Sequence, residues 1–186
     1  MIAGYLDTFP RIDESAVVFR GATLIGDVTV GPETNIWFGV IVRGDVNHIR
    51  IGARTNVQDN AVIHVTAAKY PTEIGDEVTI AHHTVIHGSI IGDRTLIGMG
   101  AVLLDGCRVG SEVMVAAGSL LRTGTVIPDG VLVAGNPAMV KRPLTEEERL
   151  SLKRSADNYV KYSRNYLTSS PDTLYSLEEL KNGAQW

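Results

Sequence analysis

Scarcity narrows the class of this 186-residue chain before any motif is read. It has one cysteine, Cys107, which excludes an internal disulfide framework and suits a reducing compartment. The formal net charge is −4 and the isoelectric point lies near 5.7. The basic footprint of a nucleic-acid-binding protein is therefore missing. No apolar run approaches the length of a membrane span. The opening "MIAGYLDTFPRIDES" has neither the basic region nor the apolar block of a secretory signal. These absences lead us to expect a cytoplasmic protein with no nucleic-acid and no membrane partner, built as one domain plus an appendage. Histidine is scarce too, with five in the whole chain, yet His82, His83 and His87 crowd into "IAHHTVIHG". The other two are His48 and His64.

What the chain does have is a period. Aliphatic residues recur every six positions at Val18, Leu24, Val30, Ile36 and Val42. After a slip of three residues the series resumes at Ile51, Val57 and Ile63, and after a longer break at Ile74, Ile80 and Ile86. It then closes one residue short and continues through Ile91, Ile97, Leu103, Val109, Val115, Leu121, Ile127 and Val133. Four residues after each lead, small or β-branched residues dominate, among them Ala22, Thr34, Thr55, Ala61, Thr84, Ala101 and Cys107. A period of six matches neither an amphipathic helix nor a simple alternating strand. It fits a parallel β-helix, in which each short strand meets a corner and stacks on its equivalent one coil earlier. Leads then point inward and the small residues fill the corners, which makes Cys107 buried and inert. One inserted residue would shift the whole inward set, so the pattern enforces itself. It resembles the hexapeptide-repeat family, whose coils take three hexapeptides and wind left-handed. That hand comes from the resemblance, since general crossover rules favour the right hand. The expectation is a mainly β chain: a left-handed parallel β-helix domain over residues 1–140, with about six coils from repeats spanning about 16–138.

Beyond "GNPAMVKRPL" the composition changes. "LTEEERLSLKRSADNYVKYSRNYL" opens with Thr145 and Glu148 at capping-box spacing and carries acids in its first turn, so it predicts a long helix. Glu146, Glu147 and Glu148 read as its solvated start. Pro171 ends it, and "DTLYSLEELK" predicts a second short helix within a C-terminal helical appendage over 141–186.

The repeat also serves as a ruler for the histidines. His64 and His87 each follow a lead, and those leads are three repeats apart if the segment 66–73 bulges out as a loop. One coil separates them, so their backbones lie roughly 4.8 Å apart and both side chains face outward. They can converge on one metal ion. His82 stands two residues after its lead and faces outward from the adjacent side, where a neighbouring subunit would have to supply it. Three such contacts close a ring. Arg43 stacks under His64, and Gln58 and Asp59 precede the His82 coil, with Asp59 under His82. The plain alternative is a set of surface histidines that stabilise a trimer without metal. His83 has no matching position, and His48 lies in the slip with a structural role expected.

At these residues the resemblance becomes specific. "WFGVIVRGDVNHIRIGARTNVQDNAVIHV", "TIAHHTVIHG" and "LIGMGAVLLDG" look like the gamma-class carbonic anhydrase family, and "SADNYVKYSRNYL" looks like its small bacterial subgroup. The resemblance implies a homotrimer with three interfacial zinc sites, each held by His64, His82 and His87. It places Arg43, Asp45, Gln58 and Asp59 among the site residues. Three neutral imidazoles leave zinc its full charge and an open position, lowering the pKa of bound water toward the value of about 7 for which carbonic anhydrases are known. The resulting hydroxide attacks carbon dioxide to give bicarbonate. Gln58 would orient the hydroxide or the substrate, and Arg43, paired with Asp45 or Asp59, would hold the interface. Iron or cobalt fits the same ligands. Val46 stands where the family's prototype has an acid, and the loop "VTAAKYPTE" has Glu73 as its only acid. Proton export, and with it turnover, is therefore expected to be slow. Tyr159 would bring a hydroxyl near the site or anchor the helix. Two other functions remain open from the residues: a coenzyme A-dependent acyltransferase, which uses one histidine as base, and a non-catalytic metal-binding trimer.

Overall fold

The computed structural model describes residues 1–183 and shows a parallel β-solenoid of about seven turns followed by helices. The leads build its interior. All of them, from Val18 to Val133, are buried, and so are most of the small residues four positions later, from Ala22 to Ser119; Val46 and Ala67, at the two interruptions, are exposed. Cys107 is fully buried among them, and burial pushes its thiol pKa up. The extra turn comes from strands Ile2–Ala3 and Arg11–Ile12, which pair with Thr23–Val30. A tight turn joining Tyr5 and Thr8 separates these two strands, which breaks the six-residue period and hides this first turn from the repeat.

Three ladders form the faces of a prism. One stacks Ile41, Val62, Val85, Val102 and Leu120 in register, and a second stacks Arg50, Glu73, Ile90, Arg108 and Val126. The long strand Ile41–Ile51 belongs to both, because the three-residue slip opens its corner as a bulge opposite Asp27. At that corner Gly26 and Gly44 lie back to back. A Cβ on Gly26, which has φ +77°, would fall 2.4 Å from the Gly44 carbonyl oxygen, so the two coils meet only as glycines. The third ladder carries Asn35, Asn56, Thr79, Leu96, Met114 and Leu132. The longer break is a loop closed by hydrogen bonds between Thr66 and Tyr70; strand pairing resumes at Thr72, slightly earlier than the expected end at 73.

The corners require left-handed backbone. Gly39, Asn60, His83, Gly100 and Gly118 occupy one of them with φ between 58° and 68°. His83 is therefore an exposed turn residue. Another corner places Glu33, Arg54, Glu77, Arg94 and Glu112 at φ between 50° and 56°. Left-handed backbone costs a side-chain-bearing residue about 1–2 kcal/mol. Alternating charge offsets part of this, with Arg54 pairing Glu33 at 2.9 Å and Glu77 at 3.4 Å, and Arg94 pairing Glu112 at 3.1 Å.

The same charged corner receives the long helix α1, Glu146–Ser169. Thr145 and Glu148 form the expected reciprocal cap, and Arg142 and the cap hold the Glu148 carboxyl down to about 2. Leu152, Ala156, Val160 and Ser163 are buried on one face of α1. Asp157 bonds Arg54, Arg149 bonds Glu112 and Arg164 bonds Glu33. Nearer its C-terminus, Tyr159 and Tyr166 pack edge-on against Trp37, which stacks on Phe19 with ring centroids 4.3 Å apart. The second helix, α2, spans only Leu177–Asn182, capped by Ser176. The first half of the predicted segment is instead a 3-10 turn at Pro171–Thr173 and an extended Leu174 that bridges to Phe19, because covering the aromatic cluster needs extended chain. Residues 184–186 of the predicted appendage lie outside the described residues.

Candidate metal centre

Strands Val62–His64 and Val85–His87 pair in parallel with His64 opposite His87. Each ends with an inward Ile followed by an outward His, which is why the two rings share one face. His64 Nδ1 lies 3.0 Å from His87 Nε2. On its other side His64 Nε2 meets Asp45 Oδ1 at 3.0 Å, and His87 Nδ1 meets Asp105 Oδ1 at 2.9 Å. An ionised carboxylate only accepts hydrogen bonds, so the ring nitrogens facing Asp45 and Asp105 carry the protons. The two remaining nitrogens then aim bare lone pairs at one point. Two such lone pairs repel at this distance unless a cation or proton lies between them. Two imidazoles on a tetrahedral ion, with bonds of about 2.0–2.1 Å, have nitrogens roughly 3.4 Å apart. The spacing found suits the donor set of a metal.

His82 lies on another face and also has a carboxylate beside it. Its Nδ1 lies 3.0 Å from Asp59 Oδ2, close enough for an ion pair but without the alignment of a hydrogen bond. It borders a cavity of about 360 Å³ lined also by Asp59, Trp37, Tyr159, Tyr162 and Asn165. Among the described residues of a single chain, no three His, Cys, Asp or Glu side chains gather where they could hold a metal. The structure thus brings His64 and His87 together and sets His82 apart.

The surrounding groups stay charged. Burial works to raise the Asp45 pKa, but hydrogen bonds from His64 and Arg43 outweigh it and hold the carboxyl below its usual range. Asp105 follows the same pattern, with burial outweighed by the Thr66 hydroxyl at 2.6 Å and by His87. Arg43 stacks one coil below His64 and donates to Asp45 within the chain, while Asp59 is taken by His82. Gln58 is buried, and its amide nitrogen donates to Asn56 Oδ1 at 2.9 Å. Asn56 in turn donates to Thr79 Oγ1, which meets Ser155 of α1 at 2.9 Å. Tyr159 has its pKa raised by burial and by Asp59, so its hydroxyl keeps its proton over the His82 cavity. His48 pairs with Glu73 at 3.3 Å and lines a cleft of about 240 Å³ that also contains Asp45, Tyr5 and Thr8.

Sequence reasoning missed Asp105 and Thr66. The signal was present: Leu103 pairs with Ile86, so the residues after it must lie beside His87. The outward stripe Ile41, Val62, Val85, Val102 and Leu120 was missed as well. It runs two residues ahead of the histidine column, with Ile41 and Val85 exposed. An apolar stripe of this length on a solenoid face marks a surface that packs against another molecule.

Comparison with known proteins places the chain among close relatives. Residues 88–123 match the family described as bacterial transferase hexapeptide (six repeats). The chain is 43% identical over 175 residues to Protein YrdA of Escherichia coli, covering 91% of this chain and 95% of that one. It is 44% identical over 177 residues to gamma carbonic anhydrase 1 of Arabidopsis thaliana mitochondria, covering 92% of this chain and 64% of the longer plant protein. Among solved structures, a hexapeptide transferase family protein from Anaplasma phagocytophilum superposes with a TM-score of 0.86 at 40% identity, covering 89% of this chain and 98% of that one.

Proposed function

The chain belongs to the gamma-class carbonic anhydrase family of hexapeptide-repeat proteins, and from that premise we propose that it hydrates carbon dioxide reversibly to bicarbonate as a cytoplasmic, zinc-dependent homotrimer. One observation carries the reading: His64 Nδ1 and His87 Nε2 face each other at 3.0 Å with a carboxylate behind each ring. Histidines arranged as general bases need only one free nitrogen each, and nothing requires two to converge.

In a ring of three copies, the His64–His87 face of one chain meets the His82 face of the next, and closure yields three equivalent centres. The apolar stripe beside the histidine column supports that packing. When zinc is bound by three neutral imidazoles it supplies hydroxide near neutral pH for attack on carbon dioxide. Iron or cobalt suits the same donors. Asp45 accepts from His64 and keeps it in the tautomer that leaves a lone pair for the ion, and Asp59 lies beside His82. Gln58, fixed by Asn56, orients the attacking group or carbon dioxide through its amide. Arg43 holds Asp45 and therefore His64. Tyr159 offers a protonated hydroxyl on the His82 side. The proton released each cycle leaves through the cleft lined by His48, whose ring pairs with Glu73 at 3.3 Å, or is carried by buffer.

The test is carbon dioxide hydration by full-length protein of verified metal content, measured against imidazole concentration. Weak activity that rises with buffer is expected, together with loss of activity in His64→Ala and His87→Ala. Fast, buffer-independent turnover would identify an internal relay, with His48, Glu73 and Tyr159 the groups to replace first. A protein that binds no metal and acetylates an acceptor from coenzyme A would point to a transferase function, as the Anaplasma relative's name suggests. Full zinc with no hydration would favour a non-catalytic metal-binding trimer.

A further inference from the structure

We propose that Asp105 and Thr66 are a positioning pair that selects which nitrogen of His87 becomes the ligand, and that Gly88 supplies the space this requires. The inference rests on the metal-centre reading above. A histidine offers two nitrogens, and the partner of one decides whether the other is free. Asp105 Oδ1 accepts from His87 Nδ1 at 2.9 Å and from Thr66 Oγ1 at 2.6 Å. Two donors converging on one oxygen fix the carboxylate against rotation, and with it the plane of the His87 ring. Thr66 is itself held twice. Its backbone closes the inserted loop on Tyr70, and its carbonyl oxygen accepts the Asn47 side-chain amide at 3.0 Å.

The backbone at Gly88 points the same way. A Cβ there would lie 2.5 Å from Asp105 Oδ1 and 2.7 Å from the Tyr70 Cβ, and the backbone has φ +55°. The residue directly after the ligand histidine must therefore lack a side chain for the Asp105 carboxylate to reach the ring. The two interruptions of the repeat thereby acquire parallel tasks. The slip brings Asp45 to His64, and the inserted loop brings Thr66 to the carboxylate behind His87. Neither support comes from the regular coils alone.

The experiment compares wild type with Asp105→Ala, Asp105→Asn, Thr66→Val and Thr66→Ser, all as full-length protein checked for size by light scattering. Two quantities are read: the His87 tautomer in metal-free protein, by nitrogen-15 NMR, and zinc affinity, by competition with a chelating dye. Asp105→Ala should turn the single Nδ1–H tautomer into a mixture and weaken zinc by about 10- to 100-fold, the usual loss when an outer-shell partner is removed. Asp105→Asn keeps a neutral acceptor and should fall between. Thr66→Val should shift both readings in the same direction by less, and Thr66→Ser should restore them. An unchanged tautomer in Asp105→Ala and Thr66→Val overturns the proposal, and so does zinc affinity within twofold of wild type. If wild type binds no zinc, the metal-centre reading fails by itself, and the tautomer measurement alone decides whether the pair positions His87.

Discussion

From Val42 to Ile86 the repeat is interrupted twice, and from Ile91 to Val133 it runs without a break. Every expected site residue on the solenoid, from Arg43 to His87, falls in or borders the interrupted stretch; Tyr159 reaches it from α1. The unbroken coils contribute only Asp105. A periodic fold acquires chemistry where its period breaks. A residue in a regular coil sees chiefly its equivalents above and below, so the coils build columns such as the charged corner, and groups from non-equivalent positions come together where the register breaks. Inserting three residues after Gly44, or a loop after His64, brings Asp45, Asn47 and Thr66 out of register and over their neighbours' side chains.

The largest effect tests that division at the interrupted end. Replacing His82 by Ala should remove the metal altogether and weaken the trimer, because its ring faces away from the His64–His87 pair of its own chain. Metal analysis with light scattering reads both at once. Full occupancy in that variant would mean the three histidines do not share an ion. The fold of each protomer should survive, since His82 is half-exposed and makes no core contact.

The unbroken end should behave the opposite way. Leu103 is fully buried in the solenoid core. Leu103→Ala should cost about 2–5 kcal/mol in urea unfolding, the range for large-to-small changes in tight cores. The folded fraction should still bind zinc with the wild-type ratio. A loss of zinc per folded chain comparable to that in His82→Ala would show that the two regions are not separable.

The same contrast explains what could be read before folding. The leads, the corner residues and the register of His64 with His87 were legible because each obeys one local period that burial enforces. The cap of α1 was legible because Thr145 and Glu148 lie within a single turn. The period places Asp105 beside His87, but its role escaped because it depends on a loop from the coil below and on a missing Cβ at Gly88, and neither of those leaves a period. The charged corner escaped for a related reason. Glu33, Arg54, Glu77, Arg94 and Glu112 look like scattered surface charges until the left-handed backbone aligns them and α1 lies across them. The turn made from residues 2–12 stayed hidden because its excursion at Tyr5–Thr8 erases the spacing.

The smallest expected effect lies at that charged corner and carries a definite pH signature. Glu112 accepts from Arg149 of α1 and from Arg94, and these hydrogen bonds, the first the larger, hold its carboxyl below its usual value of 4.5 despite a burial effect in the other direction. A carboxyl whose pKa is depressed by folding stabilises the fold above its unfolded pKa and loses that contribution as pH falls through its folded pKa. The pairs are partly solvent-exposed and screened, so the contribution at neutral pH should be no more than about 1 kcal/mol. Glu112→Gln keeps the shape and the left-handed backbone while removing the charge. Urea unfolding of wild type and variant should therefore differ modestly at pH 7 and converge as the pH falls toward 3. Zinc affinity at neutral pH should be the same in both, since no ligand or supporting carboxylate touches this corner. A gap that persists undiminished in acid would show that Glu112 acts through packing, and a change in zinc affinity would show that α1 couples the regular coils to the site.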